Sequence, residues 1–275
     1  MAGAFPAAPF LAGASDSFLV VYKPPGLHSC PLKKDALGGG PEGESVSGEQ
    51  TLLGWCARSF PEITGVRGHK PWEGGLLHRL DCGTAGLALV ARNQAAYGAL
   101  EAAQKAGSFA KEYTALAAAK AAETPPSMPA PPFPAETLFK TDKCPPLLVE
   151  SGFRAYGPGR KAVRPVPLVF SGEKPGKRAL KETALDQGQP YRTWILGTEA
   201  EGEWLGFRVR ICRGFRHQVR CHLAWLGFPL ANDALYGGAP RPGYPGIALL
   251  AEAISFPDPI TGAVREYRLG AGLPG

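Results

Sequence analysis

The chain has 275 residues, 44% of them hydrophobic and 20% charged, with a formal net charge of +6. That length can bury a substantial core as one large domain or two small ones. No run of about eighteen uncharged apolar residues occurs, so no membrane span is predicted, and 36 Gly with 28 Pro predict long irregular connections.

The opening MAGAFPAAPFLAGAS is small and apolar, but it has no basic leader and Pro6 and Pro9 interrupt it. Residues 1–14 are therefore expected to be irregular and not a signal peptide. Phe18 to Lys23 (FLVVYK) reads as a short strand stopped by Pro24-Pro25-Gly26. Lys33 to Gln50 is Gly- and Glu-rich and reads as a surface loop. Leu52 to Phe60 reads as a helix with Thr51 as N-cap, and Leu87 to Ala91 as a strand. Asn93 then starts a helix that Gly107 can close, and Phe109 to Ala117 alternates well enough for another strand.

Residues 123–134 (ETPPSMPAPPFP) hold six prolines, which forbid helix and central strand and predict a surface connection. Trp204 to Ile211 is the clearest strand, since Leu205, Phe207, Val209 and Ile211 alternate with Gly206, Arg208 and Arg210. His217 to Leu226 is the clearest helix, with Val219, Leu223 and Leu226 on one face and Gly227 where a C-terminal cap belongs. Strands and helices without regular alternation predict an α+β fold with a mixed, largely antiparallel sheet flanked by helices and long loops.

Six scattered cysteines form no CxxC pair, which favours reduced thiols in a cytoplasmic protein. The charge is unevenly spread. Between Ser151 and Lys181 stand Arg154, Arg160, Lys161, Arg164, Lys174, Lys177, Arg178 and Lys181 against the single acid Glu173, a net +7 that leaves −1 for the rest of the chain. Such a stretch suits a phosphate-contacting surface, and equally a solvated basic loop.

The run GGLLHRLDCGTAGLALVAR carries the candidate chemistry. Asp81 follows an apolar run and precedes Gly83, Thr84 and Gly86, so its carboxylate is expected on a turn leaving a strand end or helix start, with His78 and Arg79 close by. A carboxylate held in a cleft can attack an electrophilic carbon without a metal. A single Asp on a turn is more often an N-cap or turn acceptor. His217 and His222 are five apart and do not form an HExxH pair, which disfavours a zinc site, and no metal or other cofactor is expected.

HRLDCGTAGLALVARN, then KEYTAL (Lys111 to Leu116), then RGFRHQVRCHLAWLGFPLANDALYGG (Arg213 to Gly238) resembles, in order and spacing, the RluA-type family of RNA pseudouridine synthases. That family typically shows HRLD-x-x-T-S-G-L-L, then K-x-Y-x-A, then T-G-R-T-H-Q-I-R-x-H-L-x-x-x-G-x-P-I-x-G-D-x-x-Y-G. The opening FLVVYKPPGLHSCP and the closing LLAEAISFPDPITG also resemble family segments, so the likeness covers the chain from about Ser15 onward. The resemblance implies that residues 15–275 form one catalytic domain of pseudouridine synthase-like fold, a monomer acting on rRNA or tRNA without a cofactor. It implies Asp81 as nucleophile, Tyr113 as the aromatic that packs on the target base and acts in proton removal, and Arg220 as the arginine paired with the aspartate. It implies an RNA-facing set of His78, Arg79, Leu80, Thr84, Lys111, Arg216, His217 and Gln218, to which the basic Arg160, Lys161 and Arg164 are added. No S4-type domain is expected before Phe18.

The chain departs from the family pattern at several positions. Phe215 stands for Arg, Arg216 and Arg213 for Thr, Asn232 for Gly, and Glu252 for His. These departures leave three readings open: an active uridine isomerase, an RNA-binding protein that kept the fold and lost turnover, and an unrelated hydrolase using Asp81 with His78 or His217. Intact Asp81, Tyr113 and Arg220 favour the first.

Overall fold

A computed structural model describes residues 5–31, 48–125, 127–139, 146–167 and 183–270. They divide into two compact units: Met1–Lys111 with Leu250–Gly275, and Glu112–Leu249. Both combine β-sheet with few helices, and the fold class is α+β as expected.

In the first unit, β1 (Phe10–Ala14), β2 (Phe18–Lys23) and β3 (Ala85–Ala91) pair antiparallel, β3 joins β9 (Leu249–Pro257) in parallel through Ala85↔Leu250 and Gly86↔Ala251, and β10 (Val264–Arg268) pairs antiparallel with β9. The sheet is buried on both faces. Phe18, Val20 and Tyr22 point with Leu87, Leu89 and Ala91 into a core covered by α2 (Gln94–Lys105), while Leu19 and Val21 point with Ala88 and Val90 into a second core covered by α1 (Leu52–Ala57). Two covered faces explain why FLVVYK reads as a continuous apolar run and not an alternating one.

Sequence signals set the helix ends here. The Thr51 side chain accepts from Gly54 N–H, and Asn93 Oδ1 accepts from Ala96 N–H at 2.9 Å. Gly107 closes α2 at φ +77, with its own N–H on Gln104 O and Ser108 N–H on Ala103 O. α1 ends at Ala57, three residues before the expected Phe60. The expectation of an irregular residue 1–14 segment is corrected at Phe10–Ala14, which pairs with β2 as an edge strand. Of the loop expected over Lys33 to Gln50, Gly48–Gln50 is a 3-10 turn and the remainder lies outside the described residues.

In the second unit the strand order is β4 (Ala110–Ala118), β8 (Trp204–Ile211), β7 (Tyr191–Glu201), β5 (Leu147–Tyr156), β6 (Ala162–Val166), and β5 pairs antiparallel with β6 and β7, as does β7 with β8. The third helix, α3 (Gln218–Trp225), is buried along its whole length. It ends on Gly227 at φ +88, where Phe228 N–H reaches Leu223 O at 2.8 Å and a Cβ would press on Ala122 O. The described part of the proline-rich stretch forms neither helix nor strand before Ala135 and is tied to this helix, with Trp225 Nε1 donating to Pro129 O at 2.9 Å. Of the basic stretch, Arg154, Arg160, Lys161 and Arg164 are described, and Lys174, Lys177, Arg178 and Lys181 lie outside the described residues. The five described cysteines are free thiols, Cys144 lies outside the described residues, and no helix among them is long and apolar enough to cross a membrane.

Candidate active site

In the first unit Asp81 is half-buried on a turn that enters β3, where the sequence suggested a turn leaving a strand end or helix start. The turn closes through its main chain, Asp81 O accepting from Thr84 N–H at 3.0 Å. Two residues beyond Thr84, Gly86 at φ +126 lies against the Ala251 main chain, whose oxygen an added Cβ would meet at 2.3 Å. Only glycine fits that approach, and it pins the end of the turn to the sheet.

The element that holds this turn escaped the sequence reading. Lys23, fully buried at the end of β2, donates its three N–H groups to Pro24 O at 2.9 Å, Leu27 O at 2.7 Å and Cys82 O at 3.1 Å. Burial lowers its pKa to about 8, opposed by the nearby Cys82 and Asp81 charges. The segment after β2 is laced to the HRLD run twice more. Gly26 N–H reaches Cys82 O at 2.8 Å, and Ser29 Oγ both donates to Leu80 O and accepts from Leu80 N–H. Leu80 is thereby a buried scaffold residue and not an RNA-facing one.

The other expected residues of this unit divide. Arg79 is partly exposed and paired with the buried Glu73 at 3.1 Å. Thr84 is buried with no hydrogen-bonding partner for Oγ1 among the described residues. Lys111 is buried with Nζ 5.2 Å from the Phe109 ring. His78 leans on that ring at 5.4 Å and places Nε2 3.3 Å from Leu87 O. Some edge of His78 stays accessible, but Nδ1 is enclosed with no hydrogen-bond partner among the described residues, and burial aided by the Lys111 charge lowers the pKa to about 3. The ring is neutral at physiological pH.

In the second unit Tyr113 is buried on β4. Arg220, also buried, is gripped by Asp233, with Nε on Oδ2 at 2.7 Å and Nη2 on Oδ1 at 2.8 Å, and its guanidinium lies 5.4 Å from the Tyr236 ring. Asp233 takes two of the five guanidinium N–H groups. Neither partner was singled out from sequence, although both stand in the run LANDALYGG.

His217 is the N-cap of α3 at φ +58 and not its first helical residue, and like Arg220 it meets Tyr236, its Nδ1 lying 3.3 Å from Tyr236 Oη. Gln218 was expected to face RNA, but it is buried and its amide is used internally. Oε1 accepts from Phe215 N–H, while Nε2 donates to Arg192 O and Thr193 Oγ1. Arg216, Arg160 and Lys161 are exposed, and Arg216 Nη2 donates to Arg160 O at 2.8 Å. Arg164 is half-buried, reaching Ser127 O and the Tyr156 ring. No group of three metal-ligating side chains occurs among the described residues.

Comparison with known proteins decides between the families that could own such a site. Residues 17–225 match the family model described as RNA pseudouridylate synthase. This chain belongs to that family. Among curated relatives it is 27% identical over 199 residues to an uncharacterized RNA pseudouridine synthase, YjbO, of Bacillus subtilis, covering 72% of this chain and 55% of that protein. It is 27% identical over 272 residues to ribosomal large subunit pseudouridine synthase D of Yersinia pestis, covering 94% of this chain and 65% of the relative. The chain thus spans little more than half the length of several curated relatives it matches. Among solved structures, human RNA pseudouridylate synthase domain containing 1 shares the fold at a TM-score of 0.58 and 20% identity over 95% of this chain and 83% of that one. Domain containing 4 does so at 0.60 and 14%, over 95% and 88%.

The departures from the family pattern now have physical readings. Asn232 adopts φ +63, a conformation Asn tolerates best after Gly, and its amide bridges Arg241 and Tyr244 through three hydrogen bonds. Phe215 stacks on Phe153 at 5.1 Å and packs against Tyr191, so an aromatic cluster occupies the place of a guanidinium. Arg213 pairs with Asp186 and Glu252 with Arg268.

Proposed function

We propose that the protein is an active, cofactor-free pseudouridine synthase that isomerises specific uridines in rRNA or tRNA, with residues 15–275 working as one catalytic domain. The observation that carries this reading is the family match over residues 17–225, which spans Asp81, Tyr113 and Arg220 in family order and spacing. In the reaction the N-glycosidic bond of uridine breaks, the uracil turns in its pocket, and C5 bonds to the ribose in place of N1, releasing the C5 proton. Asp81 is the nucleophile, presented on a turn that closes through its main-chain oxygen. Tyr113 stacks on the flipped base and serves the proton removal. Arg220 supplies the permanent positive charge that keeps a reacting carboxylate ionised.

Arg160, Lys161, Arg164 and Arg216 form the phosphate-facing surface, with His217, Arg79, His78, Thr84 and Lys111 supporting the base-binding side. The protein acts as a monomer in the cytoplasm; sedimentation and cell fractionation test those two points. If the whole +7 stretch between Ser151 and Lys181 joins this surface and neutralises about six phosphates, the log–log slope of binding against salt is on the order of −4 for single-stranded RNA.

Tritium release from RNA labelled at uridine C5 tests the activity. Wild type is expected to release label and Asp81→Asn to release none. Wild type without release on total RNA would support the second reading, an RNA-binding protein of the same fold, which the departure at Phe215 motivates. Release that survives Asp81→Asn would remove Asp81 from the reaction.

A further inference from the structure

Tyr236 is not among the three residues given chemical roles, yet it touches more of the Arg220 neighbourhood than packing requires. Its ring lies 5.4 Å from the Arg220 guanidinium, which Asp233, three residues earlier, already grips from another side. Its buried hydroxyl accepts from Val163 N–H at 3.0 Å and has one proton for two acceptors, Val163 O at 3.2 Å and His217 Nδ1 at 3.3 Å. The His217 ring meets it edge-on at 5.9 Å. A phenylalanine would fill the same space and make none of the polar links.

Val163 connects this point to the protein surface. It lies on β6 two residues after Lys161, in the hairpin whose turn, residues 157–161, carries the exposed Arg160 and Lys161. Cys221, the neighbour of Arg220, also reaches β6, its Sγ–H lying 3.4 Å from Val163 O. Arg216, beside His217, donates to Arg160 O and Ala162 O on the same hairpin. Arg160 and His217 both hold positive φ, at +53 and +58, which non-glycine residues keep only where surrounding contacts impose it.

We propose that Tyr236 is a positioning residue that couples the basic β5–β6 hairpin to Arg220, so that RNA phosphate contact at Arg160 and Lys161 sets the orientation of the guanidinium. The inference rests on the synthase reading and adds to it a route by which bound RNA prepares its own site. A phosphate drawing on the turn pulls on β6, and the Tyr236 hydroxyl passes that displacement to the ring beneath Arg220.

The test is a cycle of Tyr236→Phe, Arg160→Ala with Lys161→Ala, and the three together, read by tritium release and by NMR of the Arg220 Nε–H, assigned through Arg220→Lys. Tyr236→Phe is expected to lower kcat about tenfold with KM changed less than about twofold. The hairpin variant is expected to raise KM and lower kcat, and the combined variant to lose no more kcat than the worse of its parents, because both changes cut one route. At saturating RNA the Arg220 resonance should move in wild type and stay in place in both variants. Multiplicative kcat losses, a wild-type kcat in Tyr236→Phe, or an equal shift of the resonance in all three proteins would overturn the coupling. The resonance needs no turnover, so a wild type that releases no tritium defeats the synthase reading while the coupling is still decided by NMR.

Discussion

At the Asp81 turn the charge enclosed by the fold is Lys23, answered by three main-chain carbonyls, of Pro24, Leu27 and Cys82. At the start of α3 it is Arg220, answered by one carboxylate in a bidentate grip and by an aromatic face. A carbonyl cage is built from backbone and allows no alternative rotamer, so it fixes where the Asp81 turn sits. A pair of side chains can be re-aimed together. The comparison suggests a division of labour in which the proposed nucleophile is displayed rigidly and its proposed counter-charge is adjustable.

The largest effect should come from Asp233→Ala, which strands a buried guanidinium. A stability loss of about 3–5 kcal/mol is expected in urea unfolding, and Asp233→Asn should recover only part of it. A loss under about 1 kcal/mol would mean that other partners of Arg220 suffice. Lys23→Met comes next, since it keeps the stem and leaves the carbonyls unanswered, at roughly 2–4 kcal/mol. Its local signature is faster amide exchange at Gly26, whose N–H is bonded to the cage carbonyl of Cys82, and at Thr84, whose N–H closes the adjoining Asp81 turn. Unchanged exchange there would show that Ser29 and Gly86 hold the turn without the lysine.

Acid should act on the second unit through His222. That ring is fully buried between Ser151 Oγ at 2.9 Å and Thr193 Oγ1 at 2.7 Å, and burial lowers its pKa to about 3. Between that value and the ordinary 6.5 the unfolded chain binds the proton and the folded one does not. Stability from this group is therefore full above pH 6.5 and is lost as pH falls toward 3. His222→Gln should flatten that part of the curve relative to wild type; the same slope in both proteins would assign the acid sensitivity elsewhere.

How much of this was legible in the sequence depended on whether a signal was local. Asn93 and Gly107, Thr51 and Gly227 cap helices because caps are decided by a few adjacent residues, and β8 was readable because one face is exposed and the alternation survives. β9 was not, since LLAEAISFP is buried along both faces and its pattern never settles to period two. β6 contains Pro165, which argues against a strand until its place beside β5 at the edge of the described sheet is known. The motifs pointed at Asp81, Tyr113 and Arg220. They did not point at Lys23, Asp233 or Tyr236, because what those residues do depends on partners 59 residues away for Lys23 and 73 for Tyr236. For the same reason Leu80 and Gln218 looked RNA-facing in the motif and proved to be internal braces.

The smallest predicted effect concerns Asn232, beside Asp233, where the adjustable region meets its own backbone constraint. Asn232→Gly keeps the left-handed conformation at φ +63 and gives up the side-chain bonds to Arg241 and Tyr244. That should cost about 1 kcal/mol, the net worth of a few part-buried hydrogen bonds less the freedom a glycine adds to the unfolded chain. Asn232→Ala gives up the same bonds and must also hold a Cβ at positive φ, so it should cost about 1 kcal/mol more. The difference between the two variants isolates the backbone term, because both delete the amide. If it vanishes in urea unfolding, the turn before Asp233 relaxes when the amide is lost, and the aim of the carboxylate on Arg220 is then set by the amide bridge and not by the backbone.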